Sequence, residues 1–349
     1  MLHPAAHPAL ARVPRYPAAP PRAAVHLASN ESASGPSPRA LAAIPAALAE
    51  RYPDPDARAV RAALAGAAGV RADEVVVTSG ATEAIQLLVR ALPGEVLTAS
   101  GSFPLYGRAA AAAGAAVRLA PRARDGRLDL DALAAAVGPD TRLIFVAHPD
   151  NPTGTTAPGL GAWLRSLPGH VVPVVDEAYA GFDPLPDLDG AHGNLVRLRS
   201  FSKAHGLASL RIGAALARPA LIDALDRVRD PFNVGGVAQA AALASLHDHR
   251  WQARVQRENA AWRASLAVGL RARGLAVVEG AANFVFLPHA PGLADALEAQ
   301  GVTVRPLDAW GLPDAVRVTV APPDDQQRLF IALDRLDRRS PHLLLRKAS

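Results

Sequence analysis

Between about residues 70 and 217, short apolar runs alternate with segments of helical period, and this alternation constrains the chain more than any other feature. The runs fall at 75–78, 95–99, 117–120, 143–147, 171–175, 195–199 and 214–217. Such a pattern predicts repeated strand–helix units and a doubly wound, mostly parallel sheet. The run 143–147 holds no polar residue, as expected of a strand covered on both faces. The last run, 214–217, is expected at an edge. From about residue 235 the spacing becomes that of long helices, 237–247 and 251–270, with short strands expected at 275–278, 283–287, 302–305 and 315–320. The expected fold is therefore α/β, a large domain around a mostly parallel central sheet plus a smaller α+β domain. The divisions expected are an N-terminal arm with part of the small domain (1–45), the large domain (46–233), the small domain (234–340) and a tail (341–349).

Open α/β sheets bind ligands beyond the carboxyl ends of their strands, so the residues just after each run are the candidate site. Run 75–78 leads into Ser79-Gly80-Ala81-Thr82-Glu83 and then a helical pattern. That arrangement aims backbone N–H groups and the positive end of a helix dipole at an anion. After 95–99 comes Phe103, an aromatic placed to stack on a flat ring. Run 143–147 enters His148-Pro149-Asp150-Asn151-Pro152-Thr153-Gly154. Run 171–175 ends at Asp176, which can ion-pair with a protonated ring nitrogen or simply cap a helix. Tyr179, three residues on, can bond a ring oxygen.

Run 195–199 ends at Ser200-Phe201-Ser202-Lys203, with Arg211 following. Of the 37 basic side chains only Lys203 and Lys347 are lysine. Compositional drift toward Ala, Pro, Gly and Arg has replaced lysine wherever a guanidinium serves equally well. An amine can shed its proton near neutral pH and form a Schiff base, which a guanidinium cannot. Ser200, Ser202 and Arg211 supply hydroxyls and a guanidinium fork suited to a phosphate dianion. A nucleophilic amine beside an anion cradle points to a phosphorylated aldehyde cofactor, pyridoxal 5'-phosphate.

Other classes are disfavoured. The net charge of +5 comes from scattered arginines among 32 acidic groups, with few aromatics for base stacking, so nucleic acid is not an expected partner. The densest basic stretch, 335–347, reads as a solvated tail. The absence of cysteine excludes disulfides and thiolate metal sites, and no metal is expected. No apolar run reaches membrane-spanning length, the start has no secretory pattern, and a soluble cytoplasmic protein is expected. The Pro-rich first 35 residues are too short for a helix-turn-helix module. In the small domain, Arg305 and Arg317 each stand on an otherwise apolar strand; a cation there is costly unless it meets an anion, such as a substrate carboxylate.

With Asn30-Glu31, Tyr52-Pro53-Asp54, Ser79-Gly80-Ala81-Thr82-Glu83, Asn151-Pro152-Thr153-Gly154, Asp176-Glu177-Ala178-Tyr179, Ser200-Phe201-Ser202-Lys203 and Val316-Arg317-Val318-Thr319 in this order, the sequence resembles the class I/II pyridoxal-phosphate aminotransferases of fold type I. Within them it is most similar to the histidinol-phosphate aminotransferase branch, over about residues 25 to 325. The resemblance implies transamination between an amino donor, histidinol phosphate or an aromatic amino acid, and a 2-oxo acid such as 2-oxoglutarate. The same fold also supports decarboxylases of the threonine-phosphate type and lyases or oxidases of specialised metabolism. By resemblance, Lys203 would hold the cofactor as a Schiff base and shuttle protons, Asp176 would face the ring nitrogen, and Tyr179 and Asn151 the ring oxygen. Phe103 would stack on the ring. Gly80, Ala81, Thr82, Ser200, Ser202 and Arg211 would bind the phosphate, with Tyr52 reaching it from the other subunit of a homodimer. Arg317 would clamp the substrate carboxylate, Arg305 would meet a substrate phosphate, and Asn30 would line the substrate site. Departures are local. The arm reads Asn30-Glu31-Ser32-Ala33-Ser34-Gly35 where the branch has Asn-Glu-Asn-Pro-Tyr-Gly, His148 and Asp150 each replace an Asn, and His205 stands where Phe or Tyr is usual.

Overall fold

The computed structural model describes residues 13, 24–44, 50–184, 188 and 190–339. Its strands are β1 (Val25–Leu27), β2 (Val75–Thr78), β3 (Glu95–Ala99), β4 (Val117–Ala120), β5 (Thr141–Ala147), β6 (Val172–Asp176), β7 (Val196–Ser200), β8 (Gly213–Leu216), β9 (Phe284–Leu287), β10 (Val302–Pro306) and β11 (Val316–Thr319). The helices are α1 (Pro38–Ala43), α2 (Arg58–Ala68), α3 (Gly80–Ala91), α4 (Leu105–Ala112), α5 (Leu130–Ala135), α6 (Leu160–Ser166), α7 (Pro219–Val228), α8 (Gly236–Leu246), α9 (His249–Arg271), α10 (Leu293–Glu298) and α11 (Pro323–Arg339). Most of the expected arm before residue 24, and the tail 341–349, lie outside the described residues.

Seven strands form one sheet in the order β2-β8-β7-β6-β5-β3-β4. Pairing is parallel from β4 through β7, while β8 runs antiparallel to both its neighbours. Strand β5 shows why the sheet's centre reads as unbroken hydrophobicity. Leu143 and Phe145 pack into one core cluster with Leu87 and Leu88 of α3, and Ile144 and Val146 into another with Trp163 and Leu164 of α6. Each such side chain, fully withdrawn from water, contributes about 1.5–3 kcal/mol. Period-two alternation along β6 and β7 then aims Asp176 and Ser200 along the face of Val174 and Leu198, toward the helices α3 and α4.

Two local expectations are corrected. The run 214–217 is not an edge strand, because β8 lies between β2 and β7. Its small residues make room for α3: a Cβ on Gly213 would sit 2.6 Å from the Ala81 nitrogen. A four-residue run of Gly, Ala and Leu carries no pattern that separates an edge from the interior. The strand expected at 275–278 reduces to one bridge, Val278 to Phe286, beyond which Glu279 turns back to pair with Arg271.

A four-stranded sheet, β1-β10-β11-β9, packs against α9, α10 and α11 over its own cluster of Leu, Val and Ala side chains. Strand β1 pairs parallel with β10, about 280 residues away in sequence, through Val25–Val302 and Leu27–Val304. The chain leaving β1 is pinned in turn: Ser37 caps α1 and its hydroxyl donates to Asp248, the cap of α9, at 2.5 Å.

Candidate active site

The carboxyl ends of β5, β6 and β7, the N-terminus of α3 and one side of the four-stranded sheet enclose a cavity of about 330 Å³. Lys203 enters it from the loop after β7, its Nζ donating to the Ser29 carbonyl at 2.9 Å and lying 5.9 Å from the Tyr179 ring centroid. Burial, then the positive charge of Arg317, lower its pKa to about 7, with Arg211 and Arg305 adding to the effect and Glu31 opposing it. A large fraction of this amine is therefore unprotonated at neutral pH.

Asp176, at the end of β6, is 5 % exposed. Its carboxylate accepts from the Tyr106 hydroxyl at 2.7 Å and from the Ala178 N–H at 3.0 Å. Burial raises its pKa, and those two donors pull the other way by favouring the anion. Tyr106 lies wholly buried and stacks on Phe145; burial and the adjacent carboxylate push its phenol well above the usual range, so it stays a donor.

On the other side, Arg305 and Arg317 face each other in register on β10 and β11. Both donate to the Ala28 carbonyl, at 3.1 and 3.2 Å, and Arg317 also donates to Asn151 Oδ1 at 2.6 Å. The Arg317 guanidinium lies 5.4 Å from the Trp310 ring centroid and 5.2 Å from that of Phe284. Asn30, buried with φ 53°, donates through Nδ2 to the Tyr179 oxygen at 2.9 Å and accepts from Thr319 at 3.0 Å. Arg211 (φ 50°) donates to Ser202 Oγ at 3.1 Å and lines the cavity beside Ala81, Thr82 and Ser200. Two non-glycine residues in left-handed backbone at one cavity mark it as a site for which conformational strain is tolerated.

A family model for aminotransferases of class I and II matches residues 22–336. The chain is 42% identical to histidinol-phosphate aminotransferase 2 of Pseudomonas aeruginosa over 332 residues, 90% of each chain. It is 43% identical over 328 residues to the histidinol-phosphate aminotransferase of an Anaeromyxobacter strain, covering 89% of this chain and 90% of the relative. The crystal structure of the Sinorhizobium meliloti histidinol-phosphate aminotransferase in complex with pyridoxal-5'-phosphate superposes with a TM-score of 0.86 at 31% identity, covering 91% of this chain and 92% of that one. The chain belongs to the class I and II aminotransferases.

The donor set of this aminotransferase fits a phosphorylated aldehyde of the kind in the Sinorhizobium complex. An amine with a pKa of about 7 and a buried carboxylate line one cavity. A dianion cradle lies there too, where the first N–H groups of α3 have no intrahelical acceptor. Gly80 suits the start of that cradle: its φ of +72° is left-handed backbone that strains any other residue, and a Cβ there would also press on the end of the Arg211 side chain. The structure gathers Lys203, Asp176, Tyr179, Asn151, Phe103, Ala81, Thr82, Ser200, Ser202, Arg211, Asn30, Arg305 and Arg317 around this cavity; Gly80 does not line it but lies against Arg211, which does. Tyr52 is not among them; it is 83% exposed and stacks on Phe232 at 4.6 Å.

Sequence reasoning passed over Tyr106, Trp310 and the carbonyls of Ala28 and Ser29. Tyr106 left one signal, a lone phenol at the start of an Ala-rich helix, which when buried needs a hydrogen-bond partner. Trp310 left none, since it stands in a short 3₁₀ turn between β10 and β11. His148 and His205, by contrast, take structural places. His148 lies buried and accepts from the Ala157 N–H. His205 Nδ1 bonds Ser245 Oγ at 2.8 Å.

Proposed function

We propose that this aminotransferase uses pyridoxal 5'-phosphate to pass the amine of histidinol phosphate to a 2-oxo acid such as 2-oxoglutarate. One observation carries the choice of substrates. Arg305 and Arg317 stand in register at the cavity that holds Lys203. Such a pair suits a phosphate dianion on the donor and a second carboxylate on the acceptor, so one set of cations serves both halves of the exchange. The names of the relatives support the same donor.

The cofactor, when bound, supplies an aldehyde for amine exchange and an electron sink for the substrate carbon that bears the amine. Lys203 Nζ, with its pKa near 7, would hold that aldehyde and, once released, would move a proton from the substrate carbon that bears the amine to the carbon that came from the aldehyde. Asp176 would face the ring nitrogen; Tyr106 and the Ala178 N–H fix its carboxylate and favour the ionised form against the opposing effect of burial. Tyr179, whose oxygen accepts from Asn30, would face a ring oxygen. Asn151 joins the two binding regions, since its Oδ1 accepts from Arg317. Ser200, Ser202, Thr82 and Arg211, which line the cavity, would hold the cofactor phosphate. The enzyme works as a homodimer in which Tyr52, exposed on its turn, reaches the phosphate of the partner subunit, and it acts in the cytoplasm. Two halves divide it, a cofactor-binding domain over 46–233 and a smaller domain over 234–340 that carries the substrate arginines.

The test is a half-reaction. Protein loaded with pyridoxal phosphate is mixed with single donors and no acceptor, and carbonyl product is counted. Histidinol phosphate is expected to give about one equivalent per site, with 2-oxoglutarate restoring the capacity for another round, the signature of ping-pong exchange. A larger kcat/KM for an aromatic amino acid reassigns the donor. Release of carbon dioxide in place of amine exchange overturns transamination.

A further inference from the structure

The loops after three neighbouring strands meet at one buried ion pair that the mechanism above does not use. Arg122, in the loop after β4, has a side chain 7% exposed, and that of Asp150, after β5, is 1% exposed. The guanidinium forks onto the carboxylate, Nη1 to Oδ2 at 2.8 Å and Nη2 to Oδ1 at 3.3 Å. It also grips the loop after β3, Nε donating to the Ser100 carbonyl at 2.6 Å and Nη2 to Ser102 Oγ at 3.1 Å. Within its own loop, Nη1 reaches the Gly126 carbonyl at 3.1 Å. The five N–H groups of a guanidinium thus meet five acceptors. Asp150 is held as firmly: Thr153 Oγ1 donates to its carboxylate at 2.7 Å, and its backbone exchanges bonds with Thr155 and Gly154, both at 2.8 Å.

Each end of this clamp adjoins a residue of the cavity. Ser102 precedes Phe103, and Asp150 precedes Asn151; both Phe103 and Asn151 line the site. A buried ion pair adds little net stability, because desolvation offsets most of the Coulomb gain. What a fully satisfied bidentate pair does supply is a fixed distance and angle between the segments that carry it.

We propose that Arg122 and Asp150 are positioning residues that hold Phe103 and Asn151 in fixed relation, and so set the seat of the cofactor ring. This rests on the reading of the cavity as the cofactor site. A lysine at position 122 keeps the charge and loses the fork. Its single ammonium can satisfy the Asp150 carboxylate but cannot at the same time span Ser100, Ser102 and Gly126.

The test compares the parent protein with Arg122→Lys, Asp150→Asn, their combination and the milder Ser102→Ala. Three readouts are taken: the Tm of the cofactor-free protein, the Kd for pyridoxal phosphate, and the pH titration of the bound cofactor's absorbance. Arg122→Lys is expected to keep the Tm within a few degrees, to raise the Kd by about 10- to 100-fold, as small misplacements of positioned groups do, and to displace the absorbance titration. Asp150→Asn moves the same readouts in the same direction. The double variant loses less than the product of the two single losses, because the pair acts as one unit. Ser102→Ala, which cuts only the link to the Phe103 loop, raises the Kd a few-fold. Unchanged Kd and titration in Arg122→Lys and Ser102→Ala, whatever happens to Tm, overturn the proposal and leave the pair a structural staple. Should the larger changes prevent folding, Ser102→Ala alone decides. If the parent protein itself fails to bind pyridoxal phosphate, the reading of the cavity falls instead.

Discussion

The two sheets meet at one cavity but bring different chemistry to it. The seven-stranded sheet delivers single, irreplaceable groups from strand ends: the Lys203 amine, the Asp176 carboxylate and the Ser and Thr hydroxyls at the α3 N-terminus. The four-stranded sheet delivers two guanidiniums from the middle of its strands, Arg305 and Arg317, held by a carbonyl of the arm. On the function proposed above, one side controls reactivity through burial and the other recognition through charge. The two are also coupled, since Arg317 is the charged neighbour that most lowers the Lys203 pKa, second only to burial. A substitution on the recognition side must therefore register on the reactive side.

The largest effect belongs to the reactive side alone. Lys203→Arg keeps a cation of similar length and removes the amine that lines the cavity. Turnover is expected to fall by about 10⁴-fold or more, the scale of losing a proton-transfer group together with a nucleophile. The far-UV circular dichroism should stay that of the parent. Retention of a tenth of the parent activity would remove Lys203 from the mechanism and, with it, the division between the two sheets.

Arg317→Ala tests the coupling. If Arg317 meets an anionic substrate as proposed, loss of its buried guanidinium should lower kcat/KM by about 10²- to 10³-fold for donor and acceptor alike. A second consequence has a definite sign. Removing a positive neighbour favours the protonated amine, so the Lys203 pKa rises from about 7 and the acid limb of the pH–rate profile moves to higher pH. Arg305→Ala, whose charge acts more weakly on Lys203, should move that limb less. Equal pH profiles for parent and Arg317→Ala, with kcat/KM reduced, would show that the two sheets act independently.

The same contrast explains what could be read before the fold was known. Asp176 and Asn151 were legible because each follows an apolar run and its chemistry differs sharply from the run's, and Lys203 because it is one of two lysines among 37 basic side chains. The parallel core was legible for the same reason, since residues 143–147 must be covered on both faces. What escaped depends on partners distant in the chain. Tyr106 lies 70 residues from the carboxylate it supports. Strand β1 joins the small sheet through β10, and no local period announces a pairing between residues 25–27 and 302–304. Asp150 was visible as a departure from the usual Asn, but Arg122, its partner across 28 residues, was one arginine among many. Single-residue chemistry at a strand end survives in a sequence, whereas a contact between two ordinary residues does not.

The smallest effect sharpens the burial half of the comparison. His205, two residues beyond Lys203, is subject to the same desolvation, which lowers its pKa to about 4, with Arg199 adding to the shift. The unfolded chain holds this imidazole near 6.5. Between pH 6.5 and 4 the unfolded state therefore binds more protons, so stability falls as pH falls through that window and is lost in full below about pH 4. A shift of this size corresponds to at most about 3 kcal/mol. His205→Phe retains a ring against Phe201 but removes the bond to the buried Ser245, costing about 1 kcal/mol at pH 7.5. The variant should thus begin slightly less stable than the parent and lose less on acidification, with the stabilities from urea unfolding crossing near pH 6. Parallel curves across pH 4 to 6.5 would mean that His205 charges in the folded protein as easily as in the unfolded chain. In that case burial would not govern this loop, and the lowered pKa of Lys203 would have to rest on the arginines of the other sheet.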